Sequence, residues 1–178
     1  GKSKNVTRKP LPPSQGTPPE RDELNREFWR LVEVVARLRA PDGCPWDRVQ
    51  TLKSIRPHTL EETYELLESI DADDNVMLQE ELGDLLLQVV LYAQIARDEA
   101  RFELTDVLRD LGDKRVRRHP HVFGDAHASS PEDVIRHWER VKREEKTDRT
   151  SALEGVPVDL PSLARTARLQ SKASKLGL

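Results

Sequence analysis

The chain has 178 residues, of which 34% are charged, 36% hydrophobic and only 4% aromatic, and its formal net charge is −3. That length suits one domain, and a composition rich in Leu, Glu and Arg but poor in aromatics suits an all-α class better than a sandwich or a barrel. No positive excess is available to hold a polyanion, which argues against nucleic acid as a partner; Cys44 as sole cysteine excludes an internal disulfide framework and suits a reducing cytoplasm; no apolar run reaches membrane-spanning length.

Residues 1–19 contain Pro10, Pro12, Pro13, Pro18 and Pro19 among Lys, Ser and Thr, which predicts a disordered arm. The folded domain is expected over residues 20–148, followed by a linker and a C-terminal helix over 149–178. From Glu20, apolar residues recur at Leu24, Phe28, Leu31, Val35 and Leu38, the spacing of a helix that must stop before Pro41. The run A-P-D-G-C-P-W-D at 40–47 reads as a structured turn that Trp46 anchors to the core. Cys44 has no His nearby in sequence and reads as a small buried residue before a nucleophile. Asp47 and Gln50 resemble the capping pattern of a short helix reaching Ile55.

Thr59-x-x-Glu62 is a capping box that predicts a helix over 60–70. Its apolar face is Leu60, Tyr64, Leu67 and Ile70, and Glu61, Glu62, Glu65 and Glu68 share the other side. Alone, such a side is an ordinary solvated face. A polar turn over 71–75 then reverses the chain into residues 82–96, apolar on every side except at Asp84, Gln88 and Gln94. A helix apolar all round is a buried helix, so Asp84 is expected inside the protein, with Glu81 one turn earlier on the same stripe. The short connection makes the two helices an antiparallel hairpin. Glu62 and Glu65 on one, Glu81 and Asp84 on the other, stand at i, i+3 and would gather four carboxylates around one small volume. Each raises the others' pKa, and a hard divalent cation relieves the repulsion.

Thr105 or Asp106 caps a helix to His119 whose stripe of Leu104, Val107 and Leu111 continues in Lys114 and Arg118. Two readings stand for that basic pair: it snorkels at a helix end and complements the dipole, or it faces the acidic volume and holds phosphate. His119-Pro120-His121 with Asp125 is a bare H-x-H, for which loop packing around Val122 and Phe123 outweighs a transition-metal site. Ser130, Pro131 and Asp133 start a helix with Trp138 and Lys142 at i, i+4. That pair could grip a base and a phosphate, though a tryptophan there is more often core. No Walker loop, Rossmann fingerprint or Ser/His/Asp arrangement is present, so a bound phosphate would rest on metal and basic side chains.

E-E-T-Y-E at 61–65 followed by E-L-G-D at 81–84 resembles the E-E-x-x-E … E-x-x-D signature of the MazG nucleoside triphosphate pyrophosphohydrolases. The similarity extends through G-C-P-W-D at 43–47 and R-R-H-P-H-V-F-G-D at 117–125. It implies an all-α bundle of the MazG type, a four-helix core completed by dimerisation or higher assembly, and Mg²⁺-dependent hydrolysis of nucleoside triphosphates to monophosphate and pyrophosphate, with Mn²⁺ as a substitute ion. It further implies Glu62, Glu65, Glu81 and Asp84 as metal ligands and Glu61 as a group behind them or the base that orients water. By the same resemblance Lys114 and Arg118 reach the triphosphate, Lys114 also stabilising the departing pyrophosphate, while Trp138 and Lys142 lie near the nucleotide. Many family members carry two tandem copies; this chain resembles the first copy plus the segment 151–165 and reads as a single-domain member or a fragment. The alternative is a helical module that binds nucleotide or metal and regulates a partner without turnover.

Overall fold

The computed structural model describes residues 11–12 and 16–144 with the single positions 166 and 170, and all regular structure among these residues is helical. Most of the arm expected over 1–19 and nearly all of the segment expected over 149–178 lie outside the described residues. The elements in order are α1 (Arg21–Arg39), α2 (Pro45–Val49), α3 (Arg56–Asp71), α4 (Asn75–Asp98), α5 (Leu104–Arg118), α6 (Pro120–Phe123) and α7 (Pro131–Glu144). The chain divides into two compact units, Gly1–Arg115 and Val116–Leu178, with the boundary inside α5.

α1 follows its apolar spacing. The Glu20 carboxylate accepts from the Asp22 and Glu23 amides at 2.9 and 2.6 Å, and the helix ends at Ala40, where the following proline disfavours helical backbone. Val35 is buried and packs with Ile55, Val90, Leu91 and Ile95 in the core of the first unit. α2 is shorter than the expected helix to Ile55, and no side chain caps it. Its end is fixed instead by Arg39, whose guanidinium, 9% exposed, pairs with Asp98 at 2.7 Å and donates to the carbonyls of Asp47 at 2.6 Å and Gln50 at 3.2 Å. One nearly buried cation thus ties the ends of α1 and α4 to the α2 segment.

Two expectations about α3 change. Its first turn begins at Arg56 with Pro57, a residue whose fixed φ suits that place, so Thr59 lies inside the helix and not at its cap. The Thr59 hydroxyl donates back to the Ile55 carbonyl at 3.2 Å and lies 2.9 Å from the Tyr92 hydroxyl across the hairpin. The second concerns its apolar face: Leu60, Tyr64, Leu67 and Ile70 are each about half exposed. The turn that reverses the chain has Asp73 at φ 51°, a left-handed conformation Asp tolerates better than most residues. Asp74 then caps α4, its carboxylate accepting from the Val76 and Met77 amides at 2.9 and 3.1 Å.

α4 is buried over its second half only. Gln88, Val90, Leu91, Ala93, Ile95 and Ala96 are buried, whereas Leu82, Leu86 and Val89 are 52%, 41% and 43% exposed. The expectation of a helix enclosed along its whole length is corrected by what packs on it: α1 and Ile55 surround its second half. In the second unit α7 opens as expected, with the Asp133 amide donating to Ser130 Oγ at 3.2 Å. The Ser129 amide and hydroxyl donate to the Asp133 carboxylate, which also pairs with Arg136, and together they hold that carboxyl down at about 2.

Asp74→Ala is expected to lower unfolding free energy by about 1 kcal/mol through loss of the α4 cap, read as a lower midpoint in urea with unchanged slope.

Candidate metal centre

α3 and α4 pack antiparallel along a seam that α3 lines with Thr59, Glu62, Leu66 and Ser69, at successive three- and four-residue steps. Ser69 is fully buried, its hydroxyl donating to the Leu66 carbonyl at 2.8 Å, so a small residue lets the helices approach near the turn. At the other end Thr59 Oγ1 lies 3.3 Å from the side-chain oxygen of the buried Gln88. Between these ends the seam is acidic. Glu62 of α3 and Glu81 and Asp84 of α4, all half-buried, each offer a carboxylate oxygen within 4.8 Å of the others.

Partial burial places this cluster where repulsion is poorly screened. The Glu62 carboxyl is raised above its ordinary value, first by desolvation and then by the charges of Asp84, Glu65, Glu81 and Glu61. That of Glu81 is raised first by desolvation and then by Glu65, Asp84 and Glu80. No ion pair or hydrogen bond reaches the three carboxylates among the described residues of the first unit. The donor set, oxygen only, matches a hard divalent cation.

The sequence-derived residues fall into three groups. Glu62, Glu81 and Asp84 come together. Glu65, expected as the fourth ligand, is exposed and outside that trio, although its charge reaches both Glu62 and Glu81; Glu61 is exposed and pairs with His58 Nδ1 at 3.7 Å. Lys114 and Arg118 are half-buried at i, i+4 on α5, and Lys142 lies in α7 with its side chain outside the described residues. Trp138, 37% exposed, stands 6.2 Å from His119 by ring centroids in the second unit, where His119 and His121 are 5.6 Å apart. Among the described residues no metal-ligating trio includes these histidines.

Trp46 is the residue whose placement sequence reasoning missed. It is 52% exposed instead of anchored in the core, and meets His58 edge-on with centroids 5.8 Å apart and planes at 67°.

A family model described as the MazG nucleotide pyrophosphohydrolase domain matches residues 50–123. The chain is 46% identical over 151 residues to a nucleoside triphosphate pyrophosphohydrolase of Escherichia coli, covering 83% of this chain and 57% of that protein. It is also 46% identical to a nucleoside triphosphate pyrophosphohydrolase/pyrophosphatase MazG of Thermotoga maritima, with 84% and 58% covered, and 47% identical to YabN, an uncharacterized protein of Bacillus subtilis, with 86% and 32% covered. It therefore spans between a third and about three fifths of the length of these curated relatives. The crystal structure of a MazG-related protein from Thermotoga maritima superposes with a TM-score of 0.57 at 25% identity, covering 65% of this chain and 98% of that one.

Because Glu62 and Glu81 titrate above 4.5 when folded, the folded state holds more protons than the unfolded one just above that value. Their penalty is therefore complete at neutral pH and fades as pH falls through the raised values toward 4.5. Glu81→Gln should raise the melting temperature of the metal-free protein at pH 7 and shrink the further rise that MgCl₂ produces. A lower metal-free melting temperature with an intact MgCl₂ response would contradict this account.

Proposed function

We propose, since residues 50–123 match the MazG nucleotide pyrophosphohydrolase domain and curated relatives are 46% identical over most of the chain, that this protein is of the MazG family and hydrolyses nucleoside triphosphates to nucleoside monophosphate and pyrophosphate with Mg²⁺ as the physiological ion and Mn²⁺ as a substitute. The observation that carries the reading is the trio of half-buried carboxylates within 4.8 Å at the α3–α4 seam, destabilised by its own charge. Oxygen-only ligands with room for water and phosphate are the usual setting for Mg²⁺ at polyphosphate substrates. Bound there, the ion supplies charge neutralisation on the phosphate oxygens and a more acidic water.

In this reading Glu62, Glu81 and Asp84 hold the ion, and Glu65 completes the set by a rotamer change from its exposed position. Glu61, one residue before Glu62, accepts a proton from the attacking water as it adds to phosphorus at the α–β linkage. Lys114 and Arg118 hold the triphosphate, and Lys114 balances the charge that grows on pyrophosphate as the P–O bond breaks. Trp138 and Lys142 contact the nucleotide, and the substrate pool is the cytoplasmic one.

A second copy of this chain is the partner we propose for the hairpin's apolar side. Leu60, Tyr64 and Leu67 on α3, and Leu82, Leu86 and Val89 on α4, are exposed. Each stripe is rotated by roughly 130° from its helix's seam residues, and in antiparallel helices the same rotational sense sets both stripes on the same side of the pair. A two-helix apolar face of this kind closes a four-helix bundle against its own copy.

Purified chain incubated with Mg²⁺ and a panel of triphosphates should release pyrophosphate and no orthophosphate. Asp84→Ala and Glu65→Ala should each abolish Mg²⁺-dependent turnover with helicity retained, and Lys114→Ala should weaken triphosphate binding. Absence of pyrophosphate with every substrate would discard the enzyme reading. For assembly, Leu67→Glu with Leu86→Glu should convert a sedimenting dimer to monomer; an unchanged sedimentation coefficient would place the interface elsewhere.

A further inference from the structure

One polar side chain on the α3–α4 seam leaves its donor end unused. Gln88 is 7% exposed, and its Oε1 lies 3.3 Å from Thr59 Oγ1. The Thr59 hydroxyl has a single proton, which the Ile55 carbonyl at 3.2 Å and Gln88 Oε1 share, so the Tyr92 hydroxyl at 2.9 Å is the donor to Thr59 Oγ1. These contacts turn the amide with its oxygen toward the hydroxyls and its Nε2 away from them. Nε2 has no hydrogen bond among the described residues. An N–H donor left unpaired at so enclosed a place is costly, and the orientation calls for an acceptor.

Acceptors stand one turn away. Asp84 precedes Gln88 by four residues on α4, and Glu62 follows Thr59 by three on α3, so hydroxyls, amide and carboxylates succeed one another along the seam. Helical side chains lean toward the N-terminus of their own helix, which inclines Gln88 toward the turn bearing Asp84. α4 already joins a glutamine amide to a carboxylate four residues apart, since Gln94 Nε2 donates to the Asp98 carboxylate at 2.8 Å. An amide also suits the place by charge. It donates a hydrogen bond without adding a cation that would compete with a metal ion, and without the further negative charge a glutamate would bring to the trio.

We propose, building on the metal-centre reading, that Gln88 is a positioning residue for the ion. Its Nε2 donates to one oxygen of Asp84 and so aims the other at the bound Mg²⁺, while Thr59 and Tyr92 keep the amide turned that way. Hydrogen bonds behind a ligating carboxylate hold it in place and tune its affinity for the metal.

The test reads ion binding by the full chain at neutral pH, without nucleotide and without turnover. Dissociation constants for Mn²⁺ are measured calorimetrically for wild type, Gln88→Met, Thr59→Val and the double variant, together with the melting temperature of each in EDTA. Gln88→Met keeps the volume and loses the amide, and should bind Mn²⁺ roughly 10- to 100-fold more weakly with little change in its metal-free melting temperature. Thr59→Val should lose affinity by a smaller factor. The double variant should bind no more weakly than Gln88→Met, because both changes act through one amide. Wild-type affinity in Gln88→Met would overturn the proposal. So would losses that multiply in the double variant, or losses that track a fall in metal-free melting temperature, the mark of a purely structural residue. If Gln88→Met does not fold, Thr59→Val decides: weakened Mn²⁺ binding supports the role and unchanged binding overturns it. Wild type that takes up no Mn²⁺ would remove the metal centre and this proposal together, a result distinct from an ion held equally by wild type and variants.

Discussion

Carboxylates on two neighbouring helices share a seam that burial would ordinarily reserve for apolar side chains, and the rest of the first unit is arranged around that conflict. α3 and α4 are joined by a turn too short to let them part, and the packed rotation of α3 brings Glu62 to Glu81 and Asp84. Desolvation and mutual repulsion both act against the ionised forms there. Structural compensation comes from either end of the seam, where the buried Ser69 permits close approach and Thr59, Gln88 and Tyr92 form a hydrogen-bonded group.

Turning the acidic side of α3 inward has a direct consequence for its other face. A helix has one direction toward its neighbour, and if Glu62 occupies it, Leu60, Tyr64 and Leu67 must face away. The same exchange shows along α4, whose second half is enclosed around Val90, Leu91 and Ile95 while the half bearing Glu81 and Asp84 leaves Leu82 and Leu86 open. Stability and chemistry are thus separated along a single helix. The enclosed half supplies the core, and the open half carries two carboxylates of the acidic trio and an exposed apolar stripe.

Arg39 links these halves to the segment carrying Trp46. Its nearly buried guanidinium joins the ends of α1 and α4 and at the same time terminates α2, so the position of the indole depends on the same packing that encloses the core. Charged groups play two parts here: one nearly buried cation, Arg39, holds backbone, and three carboxylates crowd one another on the seam without an ion pair or hydrogen bond among the first unit's described residues.

Helical class, the hairpin, the α1 limits and the start of α7 were legible because each rests on local spacing: apolar steps of three and four, a proline stop, a polar turn, a proline at the first helical position. The acid residues themselves were legible for the same reason, since i, i+3 pairs on adjoining helices can be read from the string and matched to a family. Which glutamates of α3 would meet α4 was not, because Glu61, Glu62, Glu65 and Glu68 share one side by periodicity alone. Nor was the exposure of Trp46 or Glu65, or the onset of burial at Gln88. Spacing along a helix is decided by its own backbone geometry, whereas its rotation about its axis is decided by every neighbour that competes for a face, and only the packed chain contains all of those competitors at once.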